Sequence, residues 1–328
     1  MSETPSSPSS LPETVAPDDT IIPFQVGGEV GDGPVRGRIV RLGEAVDEIL
    51  SRHDFPEPLT QLVGEAAALV ALLGSSLKFE GKLIVQAQGD GPVAMIVADY
   101  TAGGALRATA TLAEGGRETA EKAQGPELHY LLRKGHMAVT IDQGADMERY
   151  QGVVPLDGAT LADATVSYFA QSEQIPTAIR LAVGQVTSAD GQARWRAGGI
   201  MVQLVPGEGG TRERGEAMLS EEDDKEAWNR AAVLLETTSP DELLDPTLTP
   251  QQLLYRLYNE DGVRVFDAAP ARFGCTCSRE KVAGVLAQYG RADIEDMLED
   301  GKLEVTCDFC RTPYVFELDE SGEAFRDE

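Results

Sequence analysis

A chain of 328 residues, 42% of them hydrophobic, is long enough for one large or two medium domains around a sizeable core. It has no apolar run of the roughly eighteen residues a membrane helix needs, and its amino terminus, MSETPSSPSSLPETVAPDDT, lacks the basic and apolar regions of a secretory signal; both point to a cytoplasmic globular protein with no membrane partner. Fifty-five acidic against 28 basic residues give a net charge of −27, a field that repels phosphate backbones and favours solubility.

Residues 1–20 are rich in Ser, Pro, Thr and acid and cannot bury enough surface to offset ordering entropy, so they read as a disordered tail. Residues 21–206 alternate strand-like runs with helices and read as a core domain. Arg36-Gly-Arg-Ile-Val-Arg41 is strand-like, residues 43–51 carry Ala45, Val46, Ile49 and Leu50 at helical spacing, and the Ala- and Leu-rich stretch 58–73 predicts a helix buried on most faces. Residues 77–79 and 82–88 alternate, and Gly89-Asp-Gly91-Pro92 turns into 93–98, which predicts a hairpin. Further strands are expected at 136–141, 148–154, 177–183 and 199–205, giving an α+β core of mixed sheet and helix.

Two local features within this core read as ordinary structure. The glycines of Gly27-Gly-Glu-Val-Gly31-Asp-Gly33 do not join a strand to a helix and precede Pro34, so they read as a loop and not as a nucleotide site. His53-Asp54 reads as a turn before Pro56, because sequence neighbours do not face one another as a catalytic dyad would. Trp195 is expected in the core.

At Gly207 the text changes to GEGGTRERGEAMLSEEDDKEAWNR, and residues 207–260 read as a helical linker of marginal stability. It contains Trp228, an apolar stripe at 231–235, the breaker Ser239-Pro240, a short turn at 241–244, and a helix capped by Thr249 with Pro250 first. Leu253, Leu254, Leu257 and Tyr258 share one face of that helix. Each apolar stripe is too short to be stable alone and needs a surface to dock on.

All four cysteines lie in the last segment, 261–328, as Cys275-Thr-Cys277 and Cys307-Asp-Phe-Cys310. Between the pairs, Ser278 can cap a helix with Val282, Val285, Leu286 and Tyr289 on its apolar face, and a second helix groups Ile294, Met297 and Leu298. Strands at 303–305 and 314–316 place the second pair on a hairpin of zinc-knuckle type. In a reducing compartment, clustered cysteines hold metal or sense redox state in preference to forming permanent staples. His53, His129 and His136 are distant in sequence, so the economical ligand set is Cys275, Cys277, Cys307 and Cys310 around one Zn²⁺.

Spacing alone leaves a permanent structural clip and a thiol switch both open. A four-thiolate site supplies on the order of 10 to 16 kcal/mol, whereas a domain this small rarely has more than about 3 to 5 kcal/mol of its own. A sulfur committed to a disulfide is no longer a thiolate ligand, so oxidation would remove that support, and four cysteines allow three pairings. The site's net charge of about −2 calls for compensation by Arg272, Arg279, Lys281 or backbone amides. Two other classes stand beside the switch. A thiol-disulfide oxidoreductase using Cys307 and Cys310 lacks a surrounding βαβ unit. A nucleic-acid-binding zinc module is opposed by six basic against eight acidic residues between Pro270 and Tyr314.

Phe273-Gly-Cys275-Thr-Cys277-Ser-Arg-Glu280, followed by Cys307-Asp-Phe-Cys310 and Tyr314, resembles the redox switch of the 33-kilodalton bacterial heat-shock chaperone family. Arg36-Gly, His53-Asp54-Phe-Pro56, Leu77-Lys-Phe79-Glu-Gly81, Gln86-Ala-Gln-Gly-Asp-Gly-Pro92, Glu148-Arg-Tyr-Gln-Gly152, Tyr168-Phe-Ala-Gln-Ser-Glu-Gln174 and Ala197-Gly-Gly199 are similar to its N-terminal domain. The resemblance implies an ATP-independent holdase for unfolding client proteins, not an enzyme, inactive while reduced and zinc-loaded. It also implies disulfides joining Cys275 with Cys277 and Cys307 with Cys310 under oxidants such as hypochlorite or peroxide with heat. Zinc loss, unfolding of the module and linker, and a homodimeric active form are implied as well. The chain departs from the family's pattern in its tail, its glycines near 27–33 and its acidic linker.

Overall fold

The computed structural model describes residues 18–27, 33–76, 80–144, 147–187, 190–205, 212–214, 217–219, 221–299 and 301–317. Strands β1 (Thr20–Val26) and β2 (Val35–Leu42) pair antiparallel and lead into α1 (Glu44–Ser51) and α2 (Glu57–Gly74). There follow β3 (Lys82–Gly89), β4 (Val93–Thr101), β5 (Ala105–Leu112), the single turns α3 (Arg117–Ala120) and α4 (Leu128–Leu131), β6 (Gly135–Asp142) and β7 (Tyr150–Pro155). Helix α5 (Leu161–Tyr168) runs on into a π-helical turn at Phe169–Glu173, and β8 (Thr177–Thr187) and β9 (Ala193–Leu204) form a long hairpin. A small hairpin of β10 (Arg212–Arg214) and β11 (Ala217–Leu219) precedes α6 (Glu221–Glu236), α7 (Pro240–Leu244) and α8 (Pro250–Tyr258). Short strands β12 (Val263–Val265), β13 (Ala269–Pro270) and β14 (Arg272–Phe273) then lead to α9 (Arg279–Leu286), α10 (Arg291–Asp296), β15 (Lys302–Thr306) and β16 (Pro313–Glu317).

The fold is α+β. One sheet has the order β12-β1-β2-β9-β8, with β13 also paired to β1; the other runs β14-β5-β4-β3-β6-β7. The run of Ala and Leu in α2 has a physical outcome: the helix packs against strands of both sheets and is buried along nearly its whole length. Its Leu62, Leu69 and Leu72 join Val40 and Leu42 of β2 with Val85 and Ala98 of the second sheet in the main core. The expected strand at 77–79 and most of the glycine loop at 27–33 lie outside the described residues, as do residues 1–17 of the tail. Among the described residues, no helix is long and apolar enough to cross a membrane.

The first sheet is apolar on its other face as well. Ile22, Phe24 and Val26 of β1, Val35 and Ile39 of β2, and Ile200 and Val202 of β9 form a second core with α6, α7 and α8. Because successive strand residues point to opposite faces, Ile21 and Ile22 serve different cores. Leu235, Leu243, Leu253, Leu254 and Tyr258 supply the helical side, and Trp228 packs beside them. The apolar stripes of the linker thus have the docking surface they need.

Polar contacts add to this dock. Arg41 of β2, 1% exposed, donates to the carbonyls of Glu242 (2.8 Å) and Asp245. Arg196 of β9 donates to the Leu244 carbonyl at 3.0 Å and pairs with Asp18 at 2.5 Å, and Arg180 of β8 donates to the Glu236 carbonyl at 2.7 Å. Three arginines on the sheet therefore meet carbonyls at the C-terminal ends of α6 and α7, where unpaired C=O groups and the helix dipole favour cations. Gly198 allows the close approach, since a Cβ there would lie 2.5 Å from the Leu243 carbonyl oxygen.

Two local expectations differ from the structure. Residues 241–244 are a helix and not a turn, because Ser239 and Glu242 form a reciprocal capping box and Pro240 sits at the first helical position. In the cysteine module, Val285 and Tyr289 are 55% and 54% exposed, and Met297 is 42% exposed. The buried apolar centre there comprises Leu286, Ile294, Leu303 and Phe316, too few to cover a full helix face.

Candidate metal centre

The first cysteine pair arrives at the end of a strand. β14 pairs in parallel with β5, and the amide of Gly274 continues the ladder by donating to the Leu106 carbonyl at 2.8 Å. A Cβ at Gly274 would lie 2.8 Å from that of Ala105, so glycine permits the approach that delivers Cys275 and Cys277. The second pair sits in the turn between β15 and β16. There the Cys307 amide donates to the Thr312 carbonyl at 3.0 Å and the Arg311 amide to the Cys307 carbonyl at 2.8 Å.

These two turns bring all four Sγ atoms within 4.8 Å of one another. Cys275 and Cys307 are 3.8 Å apart and Cys277 and Cys310 are 3.3 Å apart. A tetrahedron with zinc–sulfur bonds of about 2.3 Å has sulfur–sulfur edges of about 3.8 Å, so the donor set fits a four-coordinate metal ion. This is the candidate metal cluster among the described residues, and it contains no histidine. Four protein ligands leave no open position, which suits a structural role over catalysis by a bound water.

The sulfurs are not equivalent. Burial pushes the Cys277 thiol up to about 12, against the Tyr314 hydroxyl, which lies 3.1 Å from that sulfur and can donate to it. Burial also raises Cys307. Cys310 feels the same burial, but the Thr312 hydroxyl and amide and the neighbouring thiols outweigh it and hold the group down to about 6.

Several cations gather around the site. Arg272 donates to the Gly103 carbonyl at 2.6 Å, Arg279 to the Val315 carbonyl at 2.8 Å, and Lys281 to the Thr276 carbonyl at 2.5 Å; these contacts brace the backbone around the site. A guanidinium also reaches a sulfur: Nη1 of Arg107 on β5 lies 3.9 Å from Cys275 Sγ. Arg107 also binds Asp99 through Nε at 2.7 Å and lies 4.0 Å from the centroid of the Phe309 ring. Arg52, just beyond α1, donates to the Cys310 carbonyl at 3.2 Å, and Thr109 Oγ1 donates to the Asp308 carbonyl at 2.9 Å. Arg107 and Asp99 are cross-strand partners, a signal that becomes readable only once β4 and β5 are known to be a hairpin. His53 stacks on Phe55 with ring centroids 4.7 Å apart, and the Phe309 backbone and the Asp308 and Arg311 charges act on its imidazole, so this turn residue lies beside the second knuckle.

Comparison with known proteins agrees with this arrangement. The model of the family described as "Hsp33 protein" matches residues 20–317. A 33 kDa chaperonin of Caulobacter vibrioides strain NA1000 / CB15N is 47% identical over 315 residues, covering 95% of this chain and 98% of that protein. The 33 kDa chaperonin of Ectopseudomonas mendocina is 37% identical over 297 residues, 90% of this chain and 92% of its own. Among solved structures, the 33 kDa chaperonin (heat shock protein 33 homolog) of Thermotoga maritima superposes with a TM-score of 0.69 at 26% identity, over 91% of this chain and 95% of the other. The family model's match to residues 20–317 and 47% identity to a 33 kDa chaperonin over 95% of the chain place this protein in the Hsp33 family of chaperones.

Proposed function

We propose that this chain is an ATP-independent, redox-activated holdase, with Cys275, Cys277, Cys307 and Cys310 holding one Zn²⁺ in its reduced, resting form. The observation that carries the reading is the contrast between four converging sulfurs and a module whose buried apolar centre comprises Leu286, Ile294, Leu303 and Phe316. When bound, zinc supplies a structural cross-link on the order of 10 to 16 kcal/mol, far more than so small a core provides. No catalytic role is assigned to any residue.

Activation removes the ligands. Each disulfide takes two electrons from a pair of cysteines, and an oxidant such as hypochlorite is reduced to chloride and water. The proposed pairs are Cys275 with Cys277 and Cys307 with Cys310, sequence neighbours that can join after the site has loosened. Without its thiolates the module 261–328 unfolds, and the linker 207–260 follows from the first sheet. The apolar surface then freed on β1, β2 and β9 and on α6 to α8 captures unfolding proteins in the cytoplasm, and the active form is a homodimer. The core domain spans 21–206; residues 18–20, read from the sequence as the end of the tail, join it through the Asp18 pair with Arg196, the Asp19 bond to the Gly43 amide and the start of β1 at Thr20. Neither nucleotide nor nucleic acid takes part.

The test follows three quantities together during hypochlorite treatment: free thiols, zinc released to a chelator, and light scattering by a thermally unfolding client. Suppression of scattering should rise as thiols and bound zinc fall, and should vanish on reduction. Equal suppression by the reduced and oxidised forms would overturn the proposal.

A further inference from the structure

The second cysteine knuckle is not held by its own module alone. Its carbonyls at Asp308 and Cys310 accept from Thr109 and Arg52, at 2.9 and 3.2 Å, and its Phe309 ring packs against the Arg107 guanidinium. Arg107 and Thr109 stand two positions apart on β5 and so share one face of the strand. Both belong to the amino-terminal fold, far from the cysteines in sequence.

Arg107 has a second contact that gives the first its meaning. Its Nη1 lies 3.9 Å from Cys275 Sγ, so one guanidinium touches a ligand of the first pair and the aromatic ring between the ligands of the second. It is itself fixed from beneath by Asp99, a carboxylate only 4% exposed that faces it across β4 and β5. A planar guanidinium anchored at one edge offers its remaining donors and its face in a set geometry, which a flexible ammonium would not. Its charge also opposes the net negative charge of about two units that four thiolates leave around a divalent ion.

We propose that Arg107 is a positioning residue of the switch: anchored on Asp99, it holds the Cys275 and Cys307–Cys310 segments in register, so that the amino-terminal domain clamps the metal module closed. The inference rests on the metal-switch reading above. Metal retention by the reduced chain then depends on β5 as well as on the four cysteines. Undocking from β5 becomes the step that precedes loss of the ligand set.

The test uses full-length, reduced, zinc-loaded protein mixed with a chromogenic zinc chelator, with no oxidant and no client. Arg107→Gln alone would strand the Asp99 carboxylate, so the informative variant is Asp99→Asn with Arg107→Gln, a neutral pair of similar size. Thr109→Val provides an independent lesion that leaves the ion pair intact. Zinc transfer should be about tenfold faster in the double variant and a few-fold faster in Thr109→Val. The urea midpoint of the amino-terminal fold should stay at the wild-type value in both. Phe309→Leu should speed transfer in the wild-type background and add nothing in the double variant, a coupling that general loosening would not produce. Wild-type transfer rates in both β5 variants, or an equal Phe309→Leu effect in both backgrounds, would overturn the clamp. Failure of the underlying reading looks different: the wild-type protein would carry no zinc to transfer, or its oxidised form would not suppress aggregation.

Discussion

Replacing Tyr258 with alanine should release the linker without any oxidant. Tyr258 is fully buried, its ring stacks on Phe24 of β1 with centroids 5.9 Å apart, and its hydroxyl donates to the Ala231 carbonyl at 3.2 Å. One side chain therefore joins α8 to the sheet and to α6. Truncating a buried aromatic to alanine costs about 3 to 5 kcal/mol, and at 1.4 kcal/mol per factor of ten the undocked population rises on the order of a hundred- to several-thousand-fold. Tyr258→Phe keeps the ring and loses only the hydrogen bond, about 1 kcal/mol, or roughly a fivefold change. Amide exchange of the reduced protein reads this directly. Exchange across α6, α7 and α8 should accelerate strongly in Tyr258→Ala and slightly in Tyr258→Phe, while α2 stays protected, and reduced Tyr258→Ala should suppress client aggregation. Unchanged exchange in the alanine variant, or equal acceleration in both variants, would refute the reasoning.

Glu65, 8% exposed on α2, has its carboxyl pushed up to about 8 by burial, with the Asp163 charge adding to the effect. Between pH 4.5 and 8 the folded state holds a proton on this carboxyl that the unfolded state has lost, so Glu65's contribution to stability is full below 4.5 and falls by about 1.4 kcal/mol per pH unit until 8. Urea unfolding at pH 5, 6.5 and 8 should show a steeper decline toward pH 8 in the wild type than in Glu65→Gln; parallel profiles would count against it. Chelating the metal from the reduced protein should abolish amide protection across 275–317 while α2 remains protected, because Leu286, Ile294, Leu303 and Phe316 are too small a core. Persistent protection of β15 and β16 would show that the hairpin stands without metal.

Much of the fold was legible where the signal is local. The Thr249 and Ser278 caps, the Gly89-Asp-Gly91-Pro92 turn and the apolar stripe on α8 need no distant partner to be read, and the helices and hairpin stand where those signals put them. β1 carries little sequence signal, because Thr-Ile-Ile-Pro-Phe-Gln-Val is apolar on both faces and its alternation is hidden. α5 is equally faint in sequence: its capping box pairs Thr160 with Asp163, and its run of small residues has little periodicity. The cysteine cluster was legible because its spacing is specific, but its surroundings were not. Arg107, Arg52 and Thr109 meet the knuckle only through tertiary contact, while the nearby Arg272, Arg279 and Lys281 donate to backbone carbonyls.

The strip from β12 to β14 lies along the margins of both sheets. β12 and β13 cover β1, and β14 covers β5, with pairings of three, two and two residues. An uncovered margin is a row of unpaired N–H and C=O groups that accepts any extended chain, a copy of itself included. A state that let go of this strip would open two such rows at once. In such a state the net charge of −27 would set a like-charge cost on unselective pairing of other acidic chains along those rows.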